Sequence, residues 1–332
     1  MQDWSEEGYR QMNPGSPGSN APSCALDEAK GLNLIEAWRQ LFARCGRKAT
    51  RKRVHGLRVV TLRLQAEIEH RITEKGLDGH QAAKRWSRQA EKLRQVLGPV
   101  READVWLEKL VSLRATLAKN DGYRPRSTRE CMRQIEELEN KLTQKRKTWE
   151  KKLLAEIDDR KVQIEKLSKR LELDSAPLIG KCGSGGGRQI IEQFAAIVAE
   201  FPALNEDNLH TFRKSIKTVR YVAEIFAASD PEAGRHAAQL KKMQSAIGEW
   251  HDWQDLAKEQ RHAHKKHDEL VDLLDALTAE SLEKALEICE RVTAQLLRTR
   301  GRDAADFSQH AAQKRPIRRE EAATAAANEM LA

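Results

Sequence analysis

The segment LHTFRKSIKTVRY, residues 209–221, decides the fold because its apolar and basic residues alternate with the period of an α-helix. Each helical residue advances by about 100°, so Phe212, Ile216 and Val219 share one side. The other side carries a histidine, four cations and a phenol: His210, Arg213, Lys214, Lys217, Arg220 and Tyr221. The cations repel one another and no acid joins them before Glu224, so this face suits either solvent or a bound anion.

An incomplete second copy of this element occurs in the first half of the chain. His55 and Arg58 occupy the places of His210 and Arg213, and further along residues 96–104 correspond to residues 246–254. Two elements repeated in the same order predict two helical bundles related by a pseudo-two-fold axis.

The basic face is shorter in the first copy, because Leu62 and Gln65 stand where the second copy has Lys217 and Arg220. Upstream, a basic run that includes Arg51 reaches the helix start, where free backbone N–H groups also favour anions. The first half is therefore expected to bind an anion more through its helix start than along its length.

Composition favours an all-α protein with an anionic partner. The 332 residues are 39% hydrophobic, 33% charged and only 5% aromatic, with a net charge of +9. No apolar run reaches the roughly 18 residues that span a bilayer, and the N-terminus lacks the pattern of a signal peptide, so we expect a cytoplasmic protein that does not bind membranes. The five cysteines are scattered and predict neither a disulfide framework nor a thiolate metal site.

Glycine, proline and charge patterns divide the chain. Breaks in the helical pattern are expected at residues 120–125 and 229–231, and a thin apolar stripe from Thr128 to Leu173 predicts a long charged helix or helical hairpin with a narrow contact seam. The predicted organisation is a flexible tail 1–25, a domain 26–310 and a C-terminal tail 311–332. Within the domain, a glycine-rich linker 177–188 separates helical halves 26–176 and 189–310.

Four elements in order resemble the CHAD family, the conserved histidine α-helical domain. Two are the histidine helices that begin at Val54 and Leu209, and the others are residues 97–105 and 243–252. The resemblance implies an all-α fold of two four-helix bundles with pseudo-two-fold symmetry and a basic central groove that binds inorganic polyphosphate, at polyphosphate granules. The sequence departs from the family pattern at Gly56, Leu62, Gln65 and Glu102.

A polyphosphate chain offers repeated negative charge and no bases, so its binder needs a row of cations. Arginine binds two phosphate oxygens with one guanidinium, whereas lysine supplies a mobile point charge. His55 and His210 are expected to take up protons when an anion is bound. The predicted binding residues are His55, Arg58, Arg51, Arg63, His210, Arg213, Lys214, Lys217, Arg220 and Tyr221, with Lys92, Arg94, Arg101, Lys241, Lys242 and His251 as a second line. No cofactor, metal or catalytic activity is expected.

Three alternatives stay open at this point. A basic groove also attracts DNA, RNA or other polyanions, although the basic helices do not interleave aromatic residues for base stacking. The seam of residues 128–173 could instead pair with a partner helix or with a second copy of the chain to form a homodimer. An enzyme acting on phosphoanhydrides would need a carboxylate cluster for a metal ion. His251 with Asp252, and His264 with His267, are weak metal-ligand candidates beside cations.

Overall fold

The computed structural model describes residues 34–75, 81–119, 126–174, 186–263 and 269–298. Over these ranges the chain is α-helical and contains no strand, which confirms the predicted all-α class. The predicted tails and residues 177–185 of the predicted linker lie outside the described residues. The helices are α1 (Leu34–Arg47), α2 (Arg51–Lys75), α3 (Gln81–Lys119), α4 (Arg126–Asp174), α5 (Gly186–Glu200), α6 (Glu206–Phe226), α7 (Pro231–Ala263) and α8 (269–298).

The junction of α6 and α7 lies at the break predicted for residues 229–231. Asp230 accepts hydrogen bonds at Oδ1 from the backbone N–H groups of Glu232, at 2.8 Å, and Ala233, at 3.4 Å. Pro231 takes the first helical position, where its missing N–H costs nothing. The sequence Asp-Pro-Glu therefore begins α7 by ordinary N-capping chemistry.

The chain divides into two compact units whose boundaries differ from the two predicted halves. The first comprises Met1–Gly180 with Gly248–Ser281, and the second comprises Lys181–Ile247 with Leu282–Ala332. The boundary at Gly180 falls inside the predicted linker. However, α7 and α8 are each shared between units, because their segments 248–263 and 269–281 belong with the first half of the chain.

The described residues of the first unit form two hydrophobic cores, and α3 and α4 contribute to both. One core packs α1 and α2 against the beginning of α3 and the end of α4. Its centre is aromatic, with the Trp38 ring 4.9 Å from Phe42 and 5.3 Å from Trp86. The other core packs the end of α3 and the beginning of α4 against the 248–263 and 269–281 segments of α7 and α8.

The apolar stripe of residues 128–173 lies on a single helix, α4, and packs into these two cores. Leu138 and Leu142 are buried in one core, and Leu153 and Ile157 in the other. Beside the stripe, Trp86 Nε1 of α3 donates a hydrogen bond to Ser168 Oγ of α4 at 3.2 Å. The stripe therefore packs against helices of the first unit.

The described part of the second unit begins with two glycines at positions that have no room for a larger side chain. A Cβ at Gly186 would lie 2.8 Å from the Phe226 ring, and one at Gly187 would lie 2.8 Å from Glu232 Cγ. The Gly187 N–H also donates to Asp230 Oδ2 at 2.8 Å. These glycines, which the sequence pattern assigned to the linker, form the first turn of α5 packed on the α6–α7 junction.

Candidate functional site

The beginning of α2, which carries the first predicted site residues, is held by hydrogen bonds from arginines. Arg53 donates to the backbone oxygens of Arg44, at 3.1 Å, and Lys48, at 3.2 Å, at the end of α1. Arg146 on α4 donates to the Ala49 oxygen at 2.6 Å and to Asp104 on α3 at 2.8 Å. Two cations thus fix where α2 begins relative to α1, α3 and α4, and both are occupied in doing so.

His55 is half-buried, and the charges of arginines from two helices act on it. Burial lowers the pKa of His55 below the ordinary histidine value, and the charges of Arg101, Arg58 and Arg51 lower it further. Arg101 comes from α3 and the other three residues from α2. The structure therefore brings four predicted residues into one group, which we call the α2–α3 cluster: Arg51, His55, Arg58 and Arg101.

One carboxylate that the sequence analysis did not select belongs to the same neighbourhood. Glu108 on α3 accepts a hydrogen bond from the Arg51 guanidinium, and its charge raises the pKa of His55 against the effect of the arginines. Its spacing was a usable signal: Glu108 follows Arg101 by two helical turns and shares its side of α3.

The second repeat element joins this region through the 248–263 segment of α7. Arg101 Nη1 lies 3.4 Å from Asp252 Oδ1, and His251 Nδ1 lies 2.9 Å from Asp255 Oδ2. His251, a predicted site residue, is thus oriented by an acid one turn away on its own helix. Arg101 is half-buried and partly neutralised by Asp252.

Lys109 is a buried cation beside these residues that the sequence analysis also did not select. Its ammonium group binds Glu249 and lies 3.9 Å from the centroid of the Trp253 ring. Burial lowers the pKa of Lys109, while Glu249 opposes the shift. Because it is 8% exposed and paired, Lys109 joins α3 to α7 and is not open to a ligand.

The helix α6 carries the second set of predicted residues, and its apolar face is buried as predicted. Phe212, Ile216 and Val219 have at most 4% of their surface exposed. Asn205 caps the helix with a capping box, and Glu206 and Asp207 occupy its first turn. Its N-terminus is thus satisfied internally, so any anion would meet α6 along its side.

The predicted basic residues of α6 fall into two groups by burial. His210, Arg213 and Lys217 are half-buried and Lys214 is exposed; we call these four the α6 face. Arg220 and Tyr221 are buried. The Arg220 guanidinium lies 3.2 Å from Glu224 and its Cζ lies 4.3 Å from the centroid of the Tyr221 ring. The structure therefore places Arg220 in a local ion pair, one turn beyond the α6 face.

The profile of the CHAD domain matches residues 32–259, more than half of the chain. The chain belongs to the CHAD domain family. This confirms the resemblance stated from the four sequence elements.

A solved structure supports the fold of this CHAD domain. The chain is similar to PptA from Streptomyces chartreusis, with 15% sequence identity, coverage of 80% of this chain and 96% of that one, and a TM-score of 0.53. At this identity the likeness concerns the fold. No curated protein matches the sequence.

The remaining predicted residues of the CHAD domain lie at varied depths. Arg63 and Arg94 are half-buried, and Lys92 is exposed on α3. Lys241 and Lys242 are exposed on the part of α7 that belongs to the second unit. The role of these five residues in binding stays a prediction.

Two of the departures from the family pattern, Gln65 and Gly56, have structural explanations in α2. Gln65 is buried and its Nε2 donates to the Ser87 oxygen on α3 at 3.4 Å. Gly56 is also buried. At both positions α2 packs against its neighbours.

Across the described residues of the chain, no group of three or more His, Cys, Asp or Glu side chains is arranged to hold a metal ion. His264 and His267 lie outside them. None of the described helices combines the length and apolarity that a membrane span requires.

Proposed function

We propose that this CHAD domain binds inorganic polyphosphate as a binding protein rather than an enzyme. The observation that carries the proposal is the α2–α3 cluster, in which the charges of three arginines from two helices act on one half-buried histidine. The positive charges of these arginines repel one another and disfavour a proton on His55. A bound anion offsets this repulsion, so the cluster favours anion binding.

The α6 face supplies a second surface of the same chemistry. Arg213, Lys214 and Lys217 follow one side of a helix whose other side is buried, and they are separated by one turn or less. Phosphate groups repeated along a chain suit such a row of cations, with arginine binding oxygens in pairs and lysine adjusting to the spacing. A long polyphosphate offers enough phosphates to use many cations.

Nucleic acid is the second candidate, and one observation weighs against it. The aromatic ring on the basic side of α6 belongs to Tyr221, which is only 6% exposed and is covered by Arg220. A buried ring cannot stack on a base, so contacts on this face would be limited to the phosphate backbone. Polyphosphate, which has no bases, loses no contact because this ring is buried.

Association with polyphosphate granules in the cytoplasm is also part of the proposal.

A competition experiment tests the proposal. Binding of long-chain polyphosphate is measured at low and near-physiological salt with duplex DNA of matched charge as competitor. We expect polyphosphate to remain bound at near-physiological salt and DNA to fail to displace it. Release of both ligands together as salt rises would contradict an organised polyphosphate site.

Matched variants show whether the two surfaces, rather than net charge, carry the binding. The triple substitution R213A/K214A/K217A removes three cations from the α6 face, and K147A/K151A/K166A removes three exposed cations from α4. At ~1 kcal/mol for each charge-assisted contact, the α6 triple reduces affinity about 100-fold. Equal losses in both triples would mean that net charge alone drives binding. For the α2–α3 cluster, R51A/R58A is compared with K147A/K151A in the same way.

A further inference from the structure

Glu108 is a carboxylate that pairs with a cation of the α2–α3 cluster, as a bound anion would. It pairs with Arg51 across α2 and α3, and the two side chains are about half exposed, at 54% and 50%. Arg51 is one of the cations proposed to bind phosphate. An anion that binds the Arg51 guanidinium therefore competes with Glu108, and exposed pairs of this kind exchange partners at small cost.

The charge of Glu108 reaches the centre of the cluster as well as its edge. It raises the pKa of His55, whereas Arg101, Arg58 and Arg51 lower it. A carboxylate that stabilises a proton on His55 repels a phosphate at the same place by the same field. Glu108 thus opposes phosphate binding in two ways. It competes with phosphate for Arg51, and its negative charge repels a phosphate near His55.

We infer that Glu108 is a competing carboxylate that makes the α2–α3 cluster discriminate against short phosphate chains. This inference rests on the proposed polyphosphate binding. Orthophosphate and the end groups of short chains carry up to about two negative charges on one phosphorus, as a phosphomonoester does. They meet the repulsion of Glu108 with few compensating contacts. A long chain places internal phosphates, each with one negative charge, at the cluster and gains further contacts elsewhere.

The test compares E108Q with E91Q. Both substitutions remove one negative charge from α3 at an exposed glutamate, but Glu91 lies about 25 Å away along the helix. Dissociation constants are measured for orthophosphate, tripolyphosphate and long-chain polyphosphate at near-physiological salt. We expect E108Q to bind tripolyphosphate about two- to fivefold more tightly than E91Q does. We expect a smaller gain in affinity for long-chain polyphosphate, so the difference between the dissociation constants of tripolyphosphate and the long chain decreases.

Two results would overturn the inference while leaving the proposed function intact. One is an equal effect of E108Q and E91Q at every chain length, and the other is weaker binding by E108Q, which would make Glu108 a positioning residue for Arg51. Failure of the wild-type protein to bind any of the three ligands would instead overturn the proposed function, and the inference with it.

A ligand-free measurement checks the neighbourhood on which the inference depends. The pKa of His55 is followed by NMR titration in wild type, E108Q and E91Q. Since Glu108 raises the pKa of His55, E108Q should lower it and E91Q should leave it unchanged. The same pKa in all three proteins would mean that Glu108 does not act on the cluster.

Discussion

The two histidine helices, α2 and α6, share a signature but gather positive charge in different ways. α6 carries its cations itself, in the row of the α6 face. α2 has fewer cations along its length, and the α2–α3 cluster is completed by Arg101 of α3. The comparison teaches that the missing basic residues at Leu62 and Gln65 do not leave His55 without cationic neighbours, because a neighbouring helix supplies one of them.

Exchanging the residues at the equivalent positions Gln65 and Arg220 tests the difference most strongly. In α6, R220Q leaves Glu224 without its guanidinium partner, and the two side chains are only 11% and 21% exposed. We expect a loss of about 2 to 3 kcal/mol in the free energy of unfolding, measured by chemical denaturation. In α2, Q65R buries a charge at a site that is 8% exposed, and a similar loss is expected.

The R220Q/E224Q double variant is the control for this exchange. It removes both charges, so it should recover part of the stability that R220Q loses. If R220Q alone were as stable as wild type, Arg220 would be available for binding and the two helices would be more alike than their burial indicates.

A second difference is the hydrogen bond that holds α2 in its core. Thr61 Oγ1 accepts from Trp38 Nε1 at 2.9 Å and donates to the Leu57 oxygen at 2.6 Å, whereas α6 has Ile216 at the equivalent position. T61V keeps the shape but leaves a buried indole N–H without an acceptor. We expect it to lower the free energy of unfolding by about 1 to 2 kcal/mol.

The double-mutant cycle with W38F isolates this bond. Phenylalanine has no N–H to satisfy, so T61V should cost much less in the W38F background than in wild type. An equal cost in both backgrounds would assign the effect of T61V to packing rather than to the hydrogen bond.

The smallest expected effect is a pH dependence that belongs to His55. Burial and the charges of Arg101, Arg58 and Arg51 hold its folded-state pKa below the ordinary value of 6.5, with Glu108 in opposition. The unfolded chain therefore binds the proton first as pH falls, so the free protein loses stability below pH 6.5 until the folded-state pKa is passed.

Under the proposed function, bound polyphosphate offsets the arginine charges and should therefore raise the pKa of His55. Polyphosphate affinity should therefore increase as pH falls between about pH 7.5 and pH 5.5. H55Q is expected to flatten both profiles, measured by denaturation without ligand and by binding with it. Profiles of H55Q that follow those of wild type would assign the pH dependence to other groups.

Much of the fold could be predicted because the spacing of apolar residues along a helix indicates which side is buried. Phe212, Ile216 and Val219 were predicted to be the buried face of α6 and are buried, and the stripe of α4 is buried too. The break at 229–231 was visible because aspartate and proline begin a helix by local chemistry. The break predicted at residues 120–125 lies outside the described residues. The assignment of 248–281 to the first unit was not visible, because α7 runs through the boundary without a break.

The candidate site was less predictable because its contacts join residues that are far apart in sequence. Arg101 and Asp252 meet across 151 positions, and no local pattern distinguishes Arg101 from an ordinary surface arginine. Arg220 has the same azimuth as the residues of the α6 face, but it is buried, which periodicity alone does not reveal. Periodicity predicts which residues share one side of a helix, but it does not predict which other residues contact that side.

The sharing of α7 and α8 has a consequence for how the chain is made. One core of the first unit includes Leu256, Leu270 and Leu274. The apolar side chains of α3 and α4 that pack there can be buried only after these residues, about one hundred positions later, have been synthesised. During synthesis on the ribosome the first core can form early, while the second stays open until the segment up to Ser281 has emerged. A fragment ending at Gly180 would accordingly expose Leu110, Ile135 and Leu142 and aggregate, even though it contains every residue of the α2–α3 cluster.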